Sequence, residues 1–472
     1  MHSADEPASA VPQTGGDAAP QAPASWRARI SWAMFDWANQ PYFTVITTFI
    51  FVPYFTSKVI GNSVEGQSLW GFTLAFSAAV VAIGAPFLGA IADAGGRRKP
   101  WLLLFQLVLG FACMLLWLAQ PGQMQVLPLV IGGFILAYIA AEYSIMFNNA
   151  LLPALETPRN IGRLSGLGWG LGYAGGLIAL FGVLIVSQPE LIGITPPPGE
   201  ALLGLKRDAF EAERIIGPAA AVWLAVFVLP MFLFTPDRPG SGLPFSQVVK
   251  AGIGRVVSTV RHMRQYGNLL RFLIAYMIYY DGVVTVIGFG GVYAAGIFNW
   301  GTTELGIFGI LINLVAIPSV IVAGNLEGRI GSKRAIQFAI VSLAIGTLGI
   351  LSITADKVLF MLDVAPKAAG AGLFSSAGEQ VFFASAVLLG LGFGAVQSAS
   401  RTMVARLSPP DMVGEFFGIF ALSGRATTFL APLLIGLATP IFDTQRVGAA
   451  IVLVFLAVGF VLLWKVQEPA RP

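Results

Sequence analysis

Apolar runs of about twenty residues recur from Ser31 to Trp464 with short polar interruptions, and they leave this chain little choice of solvent. As a helix, each run is long enough to cross the ~30 Å hydrocarbon core of a bilayer, and each is about twice the length a barrel strand needs. Lipid offers no partner to a backbone amide, so each run must satisfy its own hydrogen bonds, which a helix does within one segment. Six candidate spans occupy residues 31–55, 69–92, 101–119, 127–151, 164–186 and 216–234. Six more occupy 269–298, 304–323, 335–355, 380–403, 416–439 and 447–464. The expected fold class is an all-α membrane protein with twelve transmembrane helices.

Composition agrees: 56% of the 472 residues are hydrophobic and 11% charged, against ~25% charged in soluble domains. Cys113, the one cysteine, lies inside an apolar run, so no intrachain disulfide can form. His2 and His262 are too few for a histidine-based metal site. No P-loop, nucleophile elbow or metal-ligand spacing appears, and Gly166-x-Gly168-x-Gly170 lies within a span with no strand before it. No enzyme activity, cofactor or nucleic-acid partner is expected. The expected partners are a small-molecule substrate, protons and the lipid bilayer, with the monomer as the functional unit.

Residues 1–30 read as a disordered tail, 31–234 as a first six-helix bundle and 235–268 as a linker. Residues 269–464 read as a second bundle and 465–472 as a short tail. With both termini cytoplasmic in a cell (inner) membrane, 20 of the 28 Lys and Arg fall on the cytoplasmic side, the bias that orients such proteins. In the linker, Val249, Ile253, Val256, Val260 and Met263 recur at helical spacing beside Lys250, Arg255, Arg261 and Arg264. This predicts a basic amphipathic helix on the inner membrane surface. In the 187–215 loop, a mixed-charge helix is expected over 201–214.

A hairpin signature closes the second span: Gly89-Ala-Ile-Ala-Asp93-Ala-Gly-Gly96-Arg97-Arg98-Lys99. A second copy, Gly324-Asn-Leu-Glu327-Gly-Arg329-Ile-Gly331-Ser-Lys333-Arg334, closes the eighth. Leu155, Pro158, Gly162 and Gly166 likewise reappear as Leu407, Pro410, Gly414 and Gly418. These echoes imply a duplicated six-helix unit, a design that serves alternating access.

The first hairpin resembles the signature loop of the major facilitator superfamily, matching at Gly89, Ala92, Asp93, Gly96, Arg97 and Arg98, with Ala94 replacing an arginine. In the second copy Gly328 occupies the acid position and Glu327 comes one residue early. Phe35-Asp-Trp-Ala-Asn39, Tyr280-Asp-Gly-Val-Val-Thr285, Gln397-Ser-Ala-Ser-Arg401 and Glu415-Phe-Phe-Gly418 are similar to blocks of the Unknown Major Facilitator family, related to the fungal vacuolar amino-acid effluxer. The resemblance implies two six-helix pseudo-repeats and a conformational latch at Gly89, Asp93, Gly96, Arg97 and Arg98. Asp93 is expected to pair with Arg97 or with the N-terminus of the eleventh span.

A charge inside the bilayer costs at least ~2.5–3.5 kcal/mol, so Asp36, Glu142, Asp281 and Arg425 each need a reason to be there. Asn39 and Gln40 follow Asp36 at i+3 and i+4, and Glu142 shares a polar stripe with Tyr138 and Asn149, next to Tyr143. Asp281 sits among tyrosines, Tyr280 included, and Arg425 is read as the deep cation. Structural readings stand beside these: Asp36 as an interfacial acid, Glu142 as a buried structural acid, and Asp281 with Arg425 as a fixed pair. Gln397 completes the candidate site, and Arg401, one turn on, reads as interfacial or gating. The leading expectation is a proton-coupled transporter of a small polar solute, with amino acids favoured. A zwitterion would place its carboxylate on Arg425 and its ammonium on Asp281 or Glu142. The alternatives are a proton-coupled exporter of drug-like or lipid-like molecules, and a transporter-like sensor without flux.

Overall fold

The computed structural model describes residues 23–61, 63–261, 263–298, 302–354, 356–365, 374–428, 430, 431, 433–435 and 445–468. The tail before residue 23 and the Arg425 side chain lie outside the described residues.

Helix α1 (Trp26–Pro41) starts earlier than the expected tail allows, because the Ser25 hydroxyl caps it by accepting from the Ala28 amide at 3.2 Å. It continues through wide turns at Tyr42–Phe49 and Phe55–Val59. Pro41 has no N–H to give the Trp37 carbonyl, and the Trp223 indole donates to that carbonyl instead at 3.1 Å. The first half continues with α2 (Ser63–Gly95), α3 (Lys99–Leu115), α4 (Leu127–Leu151), α5 (Ile161–Ser187) and α6 (Ile216–Phe234). After the linker helix α7 (Phe245–Arg261) come α8 (Gly267–Phe298), α9 (Thr302–Ile330), α10 (Ser332–Leu351), α11 (Ala377–Leu407), α12 (Val413–Ala426) and α13 (Gln445–Trp464). Among the described residues, nine helices are long and apolar enough to cross a membrane, and the others are shorter or partly described. The chain is a multi-pass membrane protein of two six-helix halves. Across the interface α2 lies along α12, and α5 lies along α9 and α11.

Two expectations change. Residues 201–214 do not form one helix: Leu203 and Phe210 adopt positive φ, leaving a short turn at Leu202–Gly204 and one helical turn at Glu211–Arg214. The linker helix forms, but it docks on protein. Val248, Gly252 and Val256 are buried, with Gly252 packed on Ile91 of α2, so of the expected stripe Val256 faces inward while Ile253 does not, and the Val260 and Met263 side chains lie outside the described residues. Phe245, Ile253 and Val257 remain exposed. The linker also reaches the second half, where Arg238 and Arg255 donate to the Pro410 and Asp411 carbonyls at 2.6 and 3.2 Å.

Candidate functional site

The face carrying the α2–α3 and α9–α10 turns, called here the hairpin face, is where the halves are tied together. Gly96 takes φ +85, a left-handed conformation that suits glycine, and turns the chain between α2 and α3. Asp93 then meets Arg98, at 2.5 Å, rather than Arg97; both side chains are buried. Arg97 points to solvent, while Arg98 also donates to the Ala150 carbonyl. The other Asp93 oxygen accepts from the Glu415 amide at 2.9 Å, in the first turn of α12. Unsatisfied amides and partial positive charge make that helix end a good seat for a carboxylate. Gly89 lets the helices close: a β-carbon there would overlap the Gly414 carbonyl.

The second hairpin builds a counterpart with its displaced acid. Glu327 accepts from the Ser332 hydroxyl, lies 3.8 Å from the Arg406 guanidinium, and presses on Gly162 in the first turn of α5. Gly324 packs on the Gly162 carbonyl, where an added β-carbon would stand at 2.6 Å. Each half thus brings an acid to a helix start of the other, Asp93 through an amide hydrogen bond and Glu327 through packing on Gly162.

Between the ties lies a deeper contact. Arg401 of α11 crosses the interface and is almost wholly buried among side chains of the first half. Its guanidinium donates to Asp36 Oδ2 at 3.0 Å, Asn149 Oδ1 at 3.2 Å, Ser165 Oγ at 2.9 Å and the Ser165 carbonyl at 2.5 Å. Trp32 and Trp169 lie with ring centroids 5.1 and 5.6 Å from its central carbon, so both indoles add cation–π attraction. Gly168 leaves room for the pair, since a β-carbon there would stand 2.5 Å from Asp36 Oδ2. One turn along α11, Gln397 donates to the Tyr173 hydroxyl at 3.2 Å, and Tyr280 of α8 is in electrostatic reach of that hydroxyl. This side of the contact is thus aromatic and polar.

Asp36 and Asn149 hold Arg401 and Gln397 joins through Tyr173, whereas Tyr280 stacks on Tyr276 of its own helix and other anticipated residues lie apart. Asn39 turns 100° from Gln40 and binds Gln106 of α3 at 3.0 Å, tying helices of one half. Tyr143 faces α2, donating to the Val80 carbonyl at 2.9 Å. Glu142 lies near Tyr42 and Tyr138 inside the first half. Asp281 is buried beside Thr427, the residue that follows α12. Its expected pairing with Arg425 involves a side chain outside the described residues. Asp36 is a half-buried ion-pair partner of Arg401, a role the interfacial reading did not include. Ser165, Trp32, Trp169 and Tyr173 were not anticipated as site residues. Ser165, a hydroxyl between Gly162 and Gly166, was the available signal.

Two six-helix halves tied at paired hairpins and enclosing a charged contact define a transporter of the major facilitator superfamily. The chain belongs to the family described as "Vacuole effluxer Atg22 like", which matches residues 55–470. It is similar to the uncharacterized MFS-type transporter YxiO of Bacillus subtilis (strain 168), with 26% identity over 444 residues, covering 93% of this chain and 94% of that one. It is 30% identical over 317 residues to Autophagy-related protein 22 of Cryptococcus neoformans, covering 64% of this chain and 50% of that protein. The chain thus spans about half the length of this fungal relative. The fold is similar to that of the proton:xylose symporter XylE, with a TM-score of 0.68, 12% identity, and 94% of this chain and 96% of that one covered.

Proposed function

We propose that this chain is a secondary active transporter that moves a small polar solute, amino acids favoured, by proton-coupled alternating access. The observation that carries the reading is Arg401, a charge of one half seated in a box built by the other. A solute carboxylate can take the place of the Asp36 oxygen, and a proton can discharge it. A zwitterion offers a carboxylate to the guanidinium fork and an ammonium to Asp36, so the pair can part with neither charge left bare. A proton on Asp36 removes the negative partner and links proton occupancy to release of Arg401. Asp36 therefore replaces Asp281 as the first coupling candidate, and Arg401 replaces Arg425 as the first anion-binding candidate. By the bias of Lys and Arg, the hairpin face and both termini belong in the cytoplasm, which makes this the cytoplasm-closed state.

The test is flux in liposomes containing purified protein, with an amino-acid panel and an imposed pH gradient. Asp36→Asn should lose pH-driven accumulation yet keep exchange at equal pH, and Arg401→Lys should weaken binding. Wild-type accumulation by Asp36→Asn would remove Asp36 from the coupling role. The aromatic wall of Trp32, Trp169, Tyr173 and Tyr280 favours one competing reading, export of an apolar cation. Transport of such a dye with no amino-acid flux would establish that reading instead.

A further inference from the structure

At the hairpin face, on the outer flank of the second half, α10 and α13 diverge to leave a groove of about 650 Å³. Lys333 and Arg334, at the start of α10, give it a basic rim, and Phe338, Val341, Phe460 and Trp464 give it an apolar lining. Phe338 is 64% and Trp464 67% exposed, unusual for large apolar side chains unless lipid covers them. The apolar surface continues away from the rim through Ile345 on α10 and Val461, Val458 and Val454 on α13, all exposed. In a bilayer such a surface would open the groove sideways to lipid, with its cations toward the headgroups of one leaflet.

The charges are partly committed, and the remainder is cationic. Lys333 Nζ donates to the Trp464 and Val466 carbonyls at 2.7 and 2.8 Å, capping the end of α13 while keeping its charge. Glu468 also lines the groove, but it accepts from Arg406 at 2.9 Å and from the Ser332 amide at 2.8 Å. Arg334 is exposed and makes no hydrogen bond or ion pair with any described residue. Gln337 adds an amide on the same wall.

We infer that this groove binds an anionic phospholipid, its phosphodiester on Arg334 and Lys333 and an acyl chain along Phe338 and Trp464. Cations beside exposed aromatic side chains match both parts of such a molecule, and a zwitterionic lipid would bring a second cation to a site already positive. The site lies within one half and shares no residue with the contact at Arg401, so it stands or falls independently of the transport reading.

The experiment measures melting of the delipidated full-length protein in detergent against added phosphatidylglycerol, phosphatidylcholine and inorganic phosphate. Phosphatidylglycerol should raise the melting temperature of wild type clearly more than phosphatidylcholine, and phosphate should do nothing. Arg334→Gln should fold normally and bind phosphatidylglycerol about fivefold more weakly, the share expected of one basic side chain near a lipid surface. Arg334→Lys should stay within about twofold of wild type, because the contact is a charge rather than a fork. Trp464→Ala should weaken binding of both lipids by a similar factor. Equal shifts with the two lipids, a shift with phosphate alone, or unchanged binding by Arg334→Gln would each overturn the inference.

Discussion

Neutralising Asp36 isolates the energy that holds the halves together at their deepest contact. In Asp36→Asn the guanidinium of Arg401 keeps Asn149, Ser165 and two indole faces but loses its counter-ion. Removing one partner of a buried pair costs ~3–5 kcal/mol. The five remaining contacts, two of them to Ser165, put this case at the low end, about 3 kcal/mol. That is roughly a 150-fold change in the ratio of closed to open protein, so a chain closed about 99% of the time would become about 40% closed. Separation of the halves relieves the loss, because water can then solvate the arginine. Spin labels at Pro100 on α3 and Asn325 on α9 sit at exposed positions on the hairpin face of opposite halves. Their distance distribution in Asp36→Asn should gain a longer component, and Asp36→Asn with Arg401→Gln should return most of it to the shorter one. An unchanged distribution in the folded single variant would refute the claim that this pair holds the closed state.

Gly89→Ala places a methyl against the Gly414 carbonyl and should open the hairpin face in the same labelling assay, whereas Gly132→Ala, with open space around it, should raise the melting temperature slightly. Asp93→Asn leaves Arg98 buried without its counter-ion and should cost about 3 kcal/mol of stability, partly recovered by adding Arg98→Gln, as read by thermal melting of the three variants. Gly252→Val should lift the linker helix off Ile91 of α2 and hasten proteolytic cleavage between residues 240 and 262, with helicity of the bundle unchanged.

Hydropathy made the fold legible because the bilayer enforces one rule on every segment. The first hairpin was legible for a related reason: Gly89, Asp93 and Gly96 meet backbone, and backbone is the same whatever the partner. Which faces of the helices meet was less accessible. Arg401 lies six residues from the end of α11, about 9 Å of helix, close enough for its long side chain to reach headgroups on sequence grounds. It turns inward because Ser165, Asn149, Asp36 and two indoles gather from three other helices, and no local pattern records that convergence. Asn39 shows the converse. It is near Asp36 in sequence, yet one residue of helical rotation hands it to Gln106. Glu327, one residue early, still finds a helix start because Gly162 has no side chain to hold it off.

Where the halves touch at the hairpin face, much of the contact is main chain on main chain: the Gly414 carbonyl on Gly89, the Gly162 carbonyl on Gly324, the Val320 carbonyl on Gly166. Bare backbone has no rotamers to freeze, whereas a long side chain ordered at an interface forfeits up to ~2 kcal/mol. Parting such a seam releases almost no disorder, and rejoining it gives almost none up. Carbonyls laid bare by parting find water at once, so no polar group is stranded on the way. The seam supplies fit without committing the molecule to either shape, and the balance passes to a few ionic ties. Firmness when shut and ease of opening are then set at different residues, and either can drift in evolution without dragging the other along.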